Sequence, residues 1–138
     1  MASSKQDQSL PIQKPGTLSP DDQTSFDIEF LDRVLEQNAN HVDALRHQVE
    51  LLAGTGNYAR ALELDQRLVN LRPYDRVAQY NLACSYSMLG QIEPAIKALE
   101  RAILLGYDDV AHLEIDSDLD PLRCISKFWD MLDKYGFC

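Results

Sequence analysis

The sequence predicts an all-α fold, a short solenoid of antiparallel helix pairs closed by a C-terminal capping helix. Three observations predict it. Apolar residues recur at helical spacing through most of the chain, glycines and prolines sit where such stretches begin or end, and the chain matches itself when shifted by 34 positions. One helix pair cannot bury its apolar faces alone, so it needs neighbours of its own kind.

Residues 1–18 are rich in Ser, Gln, Lys and Pro without periodicity, and are expected to be a disordered tail. Ser19-Pro20-Asp21-Asp22 then makes a helix start, with a serine cap, proline in the first helical position and acids in the first turn. This first helix should run to about Gln37, with Phe26, Phe30, Leu31, Val34 and Leu35 on its apolar side. Asn38 to Asn40 breaks it. A second helix, from about Val42 to Ala53, carries Leu45, Val49 and Leu52, and Gly54 to Asn57 is a turn.

The third helix, Tyr58 to about Leu71, carries Ala61, Leu64 and Leu68 and is stopped by Pro73. Asp75 caps the fourth, where Leu82, Ala83 and Tyr86 share a face. Gly90 suits a left-handed helix end. In the fifth helix Ala95, Leu99 and Ala102 form one stripe, Pro94 lies in the first turn where its missing N–H costs little, and Gly106 ends it. Val110 to Ile115 can form only a short helix. Asp118 to Arg123 reads as a loop, and Ile125, Phe128, Trp129, Leu132 and Tyr135 give a last helix a wide aromatic face, with Trp129 expected to be largely buried against the fifth helix.

The shift of 34 places Ala44 on Ala78, Gly56 on Gly90, Ala61 on Ala95, Arg67 on Arg101 and Asp75 on Asp109. Glu29 on Glu63 and Arg33 on Arg67 bring the first helix into the same register. The expected organisation is therefore a tail over 1–18 and one domain over 19–138. That domain divides into a half repeat (19–38), two full repeats (42–75 and 76–109), and a degenerate repeat with its cap (110–138).

Composition bounds the function. With 45% hydrophobic and 25% charged residues the chain is ordinary globular material, and no run approaches the length of a membrane span. The net charge of −9 argues against nucleic acid and anionic membrane surfaces, and favours a basic or neutral protein partner unless acidity serves solubility alone. The first residues lack an apolar signal-peptide core, and the three scattered cysteines make neither a disulfide framework nor a zinc site. A cytoplasmic, reducing location is expected.

The period and its residues resemble the tetratricopeptide repeat family, whose pattern is W-x2-L-G-x2-Y, then A-x3-F, then P. In the central repeat these places hold Gln79, Leu82, Ala83 and Tyr86, then Ala95 and Leu99, then Tyr107. The earlier repeat holds Leu45, Gln48, Val49 and Leu52, then Ala61 and Asp65, then Pro73, so Gln48 and Asp65 stand at apolar places. The D-L-D-P-L-R segment over 118–123 followed by an aromatic helix is similar to the ending of many bacterial members. The resemblance implies a right-handed solenoid whose work is to hold another protein.

The same resemblance implies that the first helix of each pair lines a concave groove, presenting Asp43, Arg46, His47, Glu50, Val77, Tyr80, Asn81, Cys84 and Met88. Arg46 and Asn81 match places used by members that clamp a terminal carboxylate. Glu50, Val77, Ala111 and Ile115 stand where further asparagine and basic groups are needed, so that clamp is incomplete. Tyr80 either anchors a partner or packs on a neighbouring helix.

Chemistry is sparse. Asp116-x-Asp118-x-Asp120 resembles the start of a calcium loop, but Pro121 replaces the required glycine and Lys127 the last acidic ligand. His41, His47 and His112 show no i, i+4 partner for a metal. A Cys84–His47 nucleophile lacks a third orienting residue. No cofactor, metal or catalytic residue is expected. Three readings follow: a module binding a peptide or protein segment in its groove, a self-associating structural repeat, and, weakest, a thiol enzyme using Cys84. The state expected in solution is a monomer or a weak homo-oligomer.

Overall fold

The computed structural model describes residues 20–137. The expected tail and the Ser19 cap lie outside the described residues, as does Cys138. Seven α-helices follow in order: α1 (Pro20–Gln37), α2 (Val42–Gly54), α3 (Tyr58–Leu71), α4 (Arg76–Met88), α5 (Ile92–Leu104), α6 (Val110–Ile115) and α7 (Ser126–Lys134). A 3-10 segment, Ser117–Leu122, stands between the last two, where the sequence suggested a loop. No strand occurs among the described residues.

The boundaries have local causes. His41 Nδ1 accepts the Ala44 amide at the start of α2, and the Asp75 carboxylate accepts the amides of Val77 and Ala78 at the start of α4. Gly56 and Gly90, one period apart, both turn at positive φ (83° and 76°), a conformation glycine enters without steric cost. Each lets the chain reverse into the second helix of its pair.

Two apolar clusters form the core. Leu31, Leu35, Leu45, Leu64 and Leu68 join α1, α2 and α3, and Ala83, Leu99, Leu119, Leu122 and Phe128 join α4, α5 and the cap. Val69 packs against both, so the core runs on from one pair to the next. The two residues at odds with the repeat pattern are buried inside it. Gln48 Nε2 donates to Asp32 Oδ1 at 2.6 Å and to the Ile28 carbonyl at 3.2 Å, a polar joint between α1 and α2. Asp65 accepts from Ser85 Oγ at 2.6 Å, a joint between α3 and α4. Each finds a partner on the adjacent helix, although Gln48 Oε1 and Asp65 Oδ1 accept no hydrogen bond from any described residue.

Two expectations about packing are corrected. Phe26 and Phe30 are each 51% exposed, and α1 instead buries Leu31 and Leu35 with Ile28 beside them. Phe30 falls one period before Leu64, which is wholly buried. The difference is that α3 packs on both α2 and α4, whereas α1 packs mainly on α2 among the described elements. Trp129, expected to be buried, is 44% exposed, and Phe128 beside it is the cap's fully buried aromatic. The two rings meet edge to face at 5.1 Å, and Trp129 Nε1 donates to the Arg123 carbonyl at 2.7 Å. Trp129→Ala should therefore lower stability by about 2 kcal/mol, less than loss of a fully buried ring, through the hydrogen bond and the covered half of the indole. Urea denaturation of the variant measures this directly.

The cap closes the solenoid with a polar outer side. Arg123 donates to the carbonyls of Leu113 and Asp116, and pairs with Asp120. Lys127 reaches Glu93, and Tyr135 donates to Glu100, tying α7 to α5.

Candidate functional site

The 3-10 segment folds back against α4, and this fold-back builds the site. Ser87 Oγ donates to the Asp118 carbonyl at 2.6 Å, which fixes the segment's height on the helix. Asp116 then reaches into the space between α4 and α6. Its Oδ2 accepts the Tyr80 hydroxyl at 2.5 Å, faces His112 Nε2 at 3.2 Å and lies 3.7 Å from Cys84 Sγ. Its Oδ1 accepts the Asp118 amide, and Asp118 Oδ1 accepts the Tyr58 hydroxyl at 3.1 Å. Tyr80 is held further by its ring, which stacks on Tyr107 at 4.3 Å.

Beside this network lies a half-open pocket of about 290 Å³ where both repeats meet the cap. Val49 and Ala53 of α2 supply its apolar wall, and Glu50 its edge. Tyr58 and Asp65 enter from α3, Asn81 and Ser85 from α4. Asp65 is 2% exposed, and its Oδ1 accepts no hydrogen bond from any described residue.

The environment shifts the titrating groups in one direction. Burial pushes the Asp65 carboxyl up to about 6, with the Ser85 hydrogen bond opposing only in part. Burial also raises Asp118 against the hydrogen bond from Tyr58. The Tyr58 phenol is pushed up to about 12 by burial and by Asp118, and Tyr107 to about 12 by burial. Tyr80 and Cys84 are both pushed up strongly, by burial first and then by neighbouring negative charge. Asp75 is the exception. Burial works against its charge, but the Ala78 and Val77 amides and the Arg46 guanidinium outweigh it and hold the carboxyl low.

Cys84 is thus the opposite of an activated nucleophile, which needs a lowered thiol pKa. On alkylation of the native protein at about pH 8, exposed Cys124 should be modified while Cys84 stays intact until denaturant is added. Peptide mass mapping reads both sites.

The residues singled out in the sequence are placed unevenly. Tyr80 and Cys84 are buried, so Tyr80 packs, with its hydroxyl taken by Asp116. Arg46 pairs with Asp75. Asp43, His47, Glu50, Val77 and Met88 are not buried, and Asn81 is half-buried on the pocket wall. Only Glu50, Tyr80, Asn81 and Cys84 come together around the pocket. The sequence reading missed the acidic half of the site. His112 does have an i, i+4 partner, Asp116, and Asp116, Asp118 and Cys84 place potential ligand atoms within 4.8 Å of one another. The acids of the apparent calcium loop take protein partners instead, Tyr80 and Tyr58 for the first two and Arg123 for Asp120. Asp65 was the legible signal, an acid where the period demands an apolar residue.

Antiparallel helix pairs repeating every 34 residues, with a capping helix, define a tetratricopeptide-like solenoid. The chain resembles the structure of MamA 41-end from Desulfovibrio magneticus RS-1, with a TM-score of 0.61, 20% identity, and coverage of 83% of this chain and 70% of that one. A MamA RS-1 ArsTM double mutant gives a TM-score of 0.62 at 20% identity, covering 83% and 69%. At that identity the likeness shows the fold. No family model matches the chain. Among curated proteins, a chloroplastic protein of Arabidopsis thaliana is 34% identical over 103 residues, which take in 72% of this chain and 30% of that protein. The chain thus spans less than a third of that relative's length.

Proposed function

We propose that the chain is a protein-interaction module that holds an extended segment of a partner along the face made by α2 and α4. The observation that carries this is the pocket, which opens on that face between two repeats and the cap with polar groups still available. Exposed Val77 and Met88 offer apolar contact for partner side chains, and Asn81 both donates and accepts, which suits a partner's backbone amide. The net charge of −9 favours a basic segment and speeds its encounter. A face of two repeats buries little area, so micromolar affinity is expected, roughly −8 kcal/mol.

A peptide library displayed against the full chain tests this reading. Selected peptides should bind less tightly to Asn81→Ala by several-fold, and binding should weaken as salt rises, since exposed charges are screened beyond about 8–10 Å. Peptides that bind Asn81→Ala normally but fail against variants on the outer faces of α3 and α5 would move the site elsewhere. Tyr80→Ala is a poor probe, because it also removes a cap contact.

A second reading, self-association, draws on one observation. Phe26 and Phe30 form an exposed apolar pair on α1. Sedimentation over a concentration range, repeated with Phe26→Ser/Phe30→Ser, decides it. The chain is proposed to be non-enzymatic, on the raised Cys84 thiol and the exposed position of His47. A reducing compartment suits the free Cys84 and Cys124. The cytoplasm is the first choice, and the Arabidopsis relative, named as chloroplastic, raises the chloroplast. No helix among the described residues is long and apolar enough to cross a membrane. Fractionation of the source cells checks the compartment.

A further inference from the structure

The pocket between the two repeats and the cap carries more negative charge than its surroundings balance. Glu50, Asp65, Asp116 and Asp118 line it, and no lysine or arginine does so among the described lining residues. His112 is its one potential cation among them, and that ring already faces Asp116. Arg46, on the same helix as Glu50, is paired with Asp75 instead.

Asp65 makes the imbalance specific. Its counterpart one period later is Leu99, wholly buried in the core, so the fold itself asks for an apolar side chain there. A carboxylate at that place is costly to bury unless something pairs with it. Ser85 satisfies one oxygen at 2.6 Å, and the other, Oδ1, is buried without a hydrogen bond from any described residue. Gln48 Oε1 is also buried without a partner but does not line the pocket, whereas Asp65 does, and an unpartnered acceptor on a pocket wall marks the place of a missing donor.

We propose that the pocket receives one basic side chain, lysine or arginine, from the partner protein, with its cationic head donating to Asp65 Oδ1. This rests on the groove reading and names what that groove selects. Val49 and Ala53 provide apolar surface for the methylene stem, as long basic side chains need. Glu50 at the edge and Asp118 opposite supply further acceptors for an ammonium or guanidinium group. The volume of about 290 Å³ fits a single side chain, since pockets for whole ligands start near that size.

A divalent cation held by Cys84, Asp116 and Asp118 is the rival occupant. It would share those two carboxylates with the Tyr80 and Tyr58 hydroxyls, which already donate to them, and it would need the Cys84 thiol deprotonated. It would also leave Asp65 Oδ1 unanswered. A basic side chain keeps both tyrosine bonds and answers Asp65.

The test is amide NMR of the full chain, titrated with blocked glycine peptides carrying a single arginine, a single lysine or a single citrulline. The basic peptides should shift the amides around Asp65, Ser85 and Asp118, and the neutral citrulline peptide should not. Asp65→Asn should weaken the basic peptides at least tenfold, whereas Asp133→Asn, an exposed acid on α7 away from both the groove and the pocket, should leave them unchanged. Equal shifts from citrulline would overturn the proposal. So would zinc or calcium chloride moving these amides when neither basic peptide does. Library peptides that lack basic residues and bind the parent and Asp65→Asn alike would keep the groove reading and overturn the pocket. A pocket that responds to arginine while no library peptide binds would overturn the extended groove and leave the pocket standing.

Discussion

Replacing Phe128 with alanine should lower the unfolding free energy by roughly 3–5 kcal/mol, the usual range for a large aromatic removed from a core. Phe128 is fully buried among the residues that join α5 to the cap, with Leu119 and Leu122 of the 3-10 segment equally inaccessible. Removing the ring leaves a cavity where these three elements meet, and α7 is too short to hold itself in place by helix propensity. What then remains are the smaller buried side chains Met131 and Leu132 and the rim contacts of Lys127 to Glu93 and Tyr135 to Glu100, of which the exposed ion pair contributes little. In a solenoid each unit leans only on its neighbours, so loss of the cap should uncover α5 before the α1–α3 end responds. Urea denaturation gives the total loss, and hydrogen exchange should show α5 amides opening earlier than those of α2. A Phe128→Ala protein with the parent's midpoint would mean the cap is held by the 3-10 segment alone.

Much of this fold is legible without coordinates because its repeat is local. Asp75, Gly56, Gly90 and Pro94 each act within one turn of where they stand, so their roles follow from spacing. Expectation and structure part where the identity of neighbours matters. Phe26 and Phe30 share a helical stripe as good as that of Ile28, Leu31 and Leu35, and periodicity cannot say which stripe meets α2. Adjacent Phe128 and Trp129 pose the same choice on α7, and it is the smaller ring that the core takes. The candidate site is harder still. Tyr58 meets Asp118 across 60 residues and Tyr80 meets Asp116 across 36, through a fold-back that breaks the repeat. No period encodes such contacts. What the sequence does show is the misfit, since an acid at an apolar repeat position needs a reason.

That misfit should be measurable as a pH dependence. Burial raises the Asp65 carboxyl from 3.8 to about 6, so the folded chain holds this proton more tightly than the unfolded chain. Between those values the unfolded state binds fewer protons than the folded one, and stability falls as pH rises. The loss at this residue should reach about 3 kcal/mol once pH passes well above 6. Asp75 acts in the opposite sense and only at lower pH, because its carboxyl is held below the ordinary value. Asp118 shares the sign of Asp65, so the parent's profile alone does not isolate one residue. The comparison with Asp65→Asn does, because the amide keeps the shape and does not titrate. The stability difference between Asp65→Asn and the parent should grow by about 2.5 kcal/mol in the variant's favour from about pH 4 to pH 8. Urea denaturation across that range measures it, and a difference that stays flat would show that Asp65 ionises without penalty.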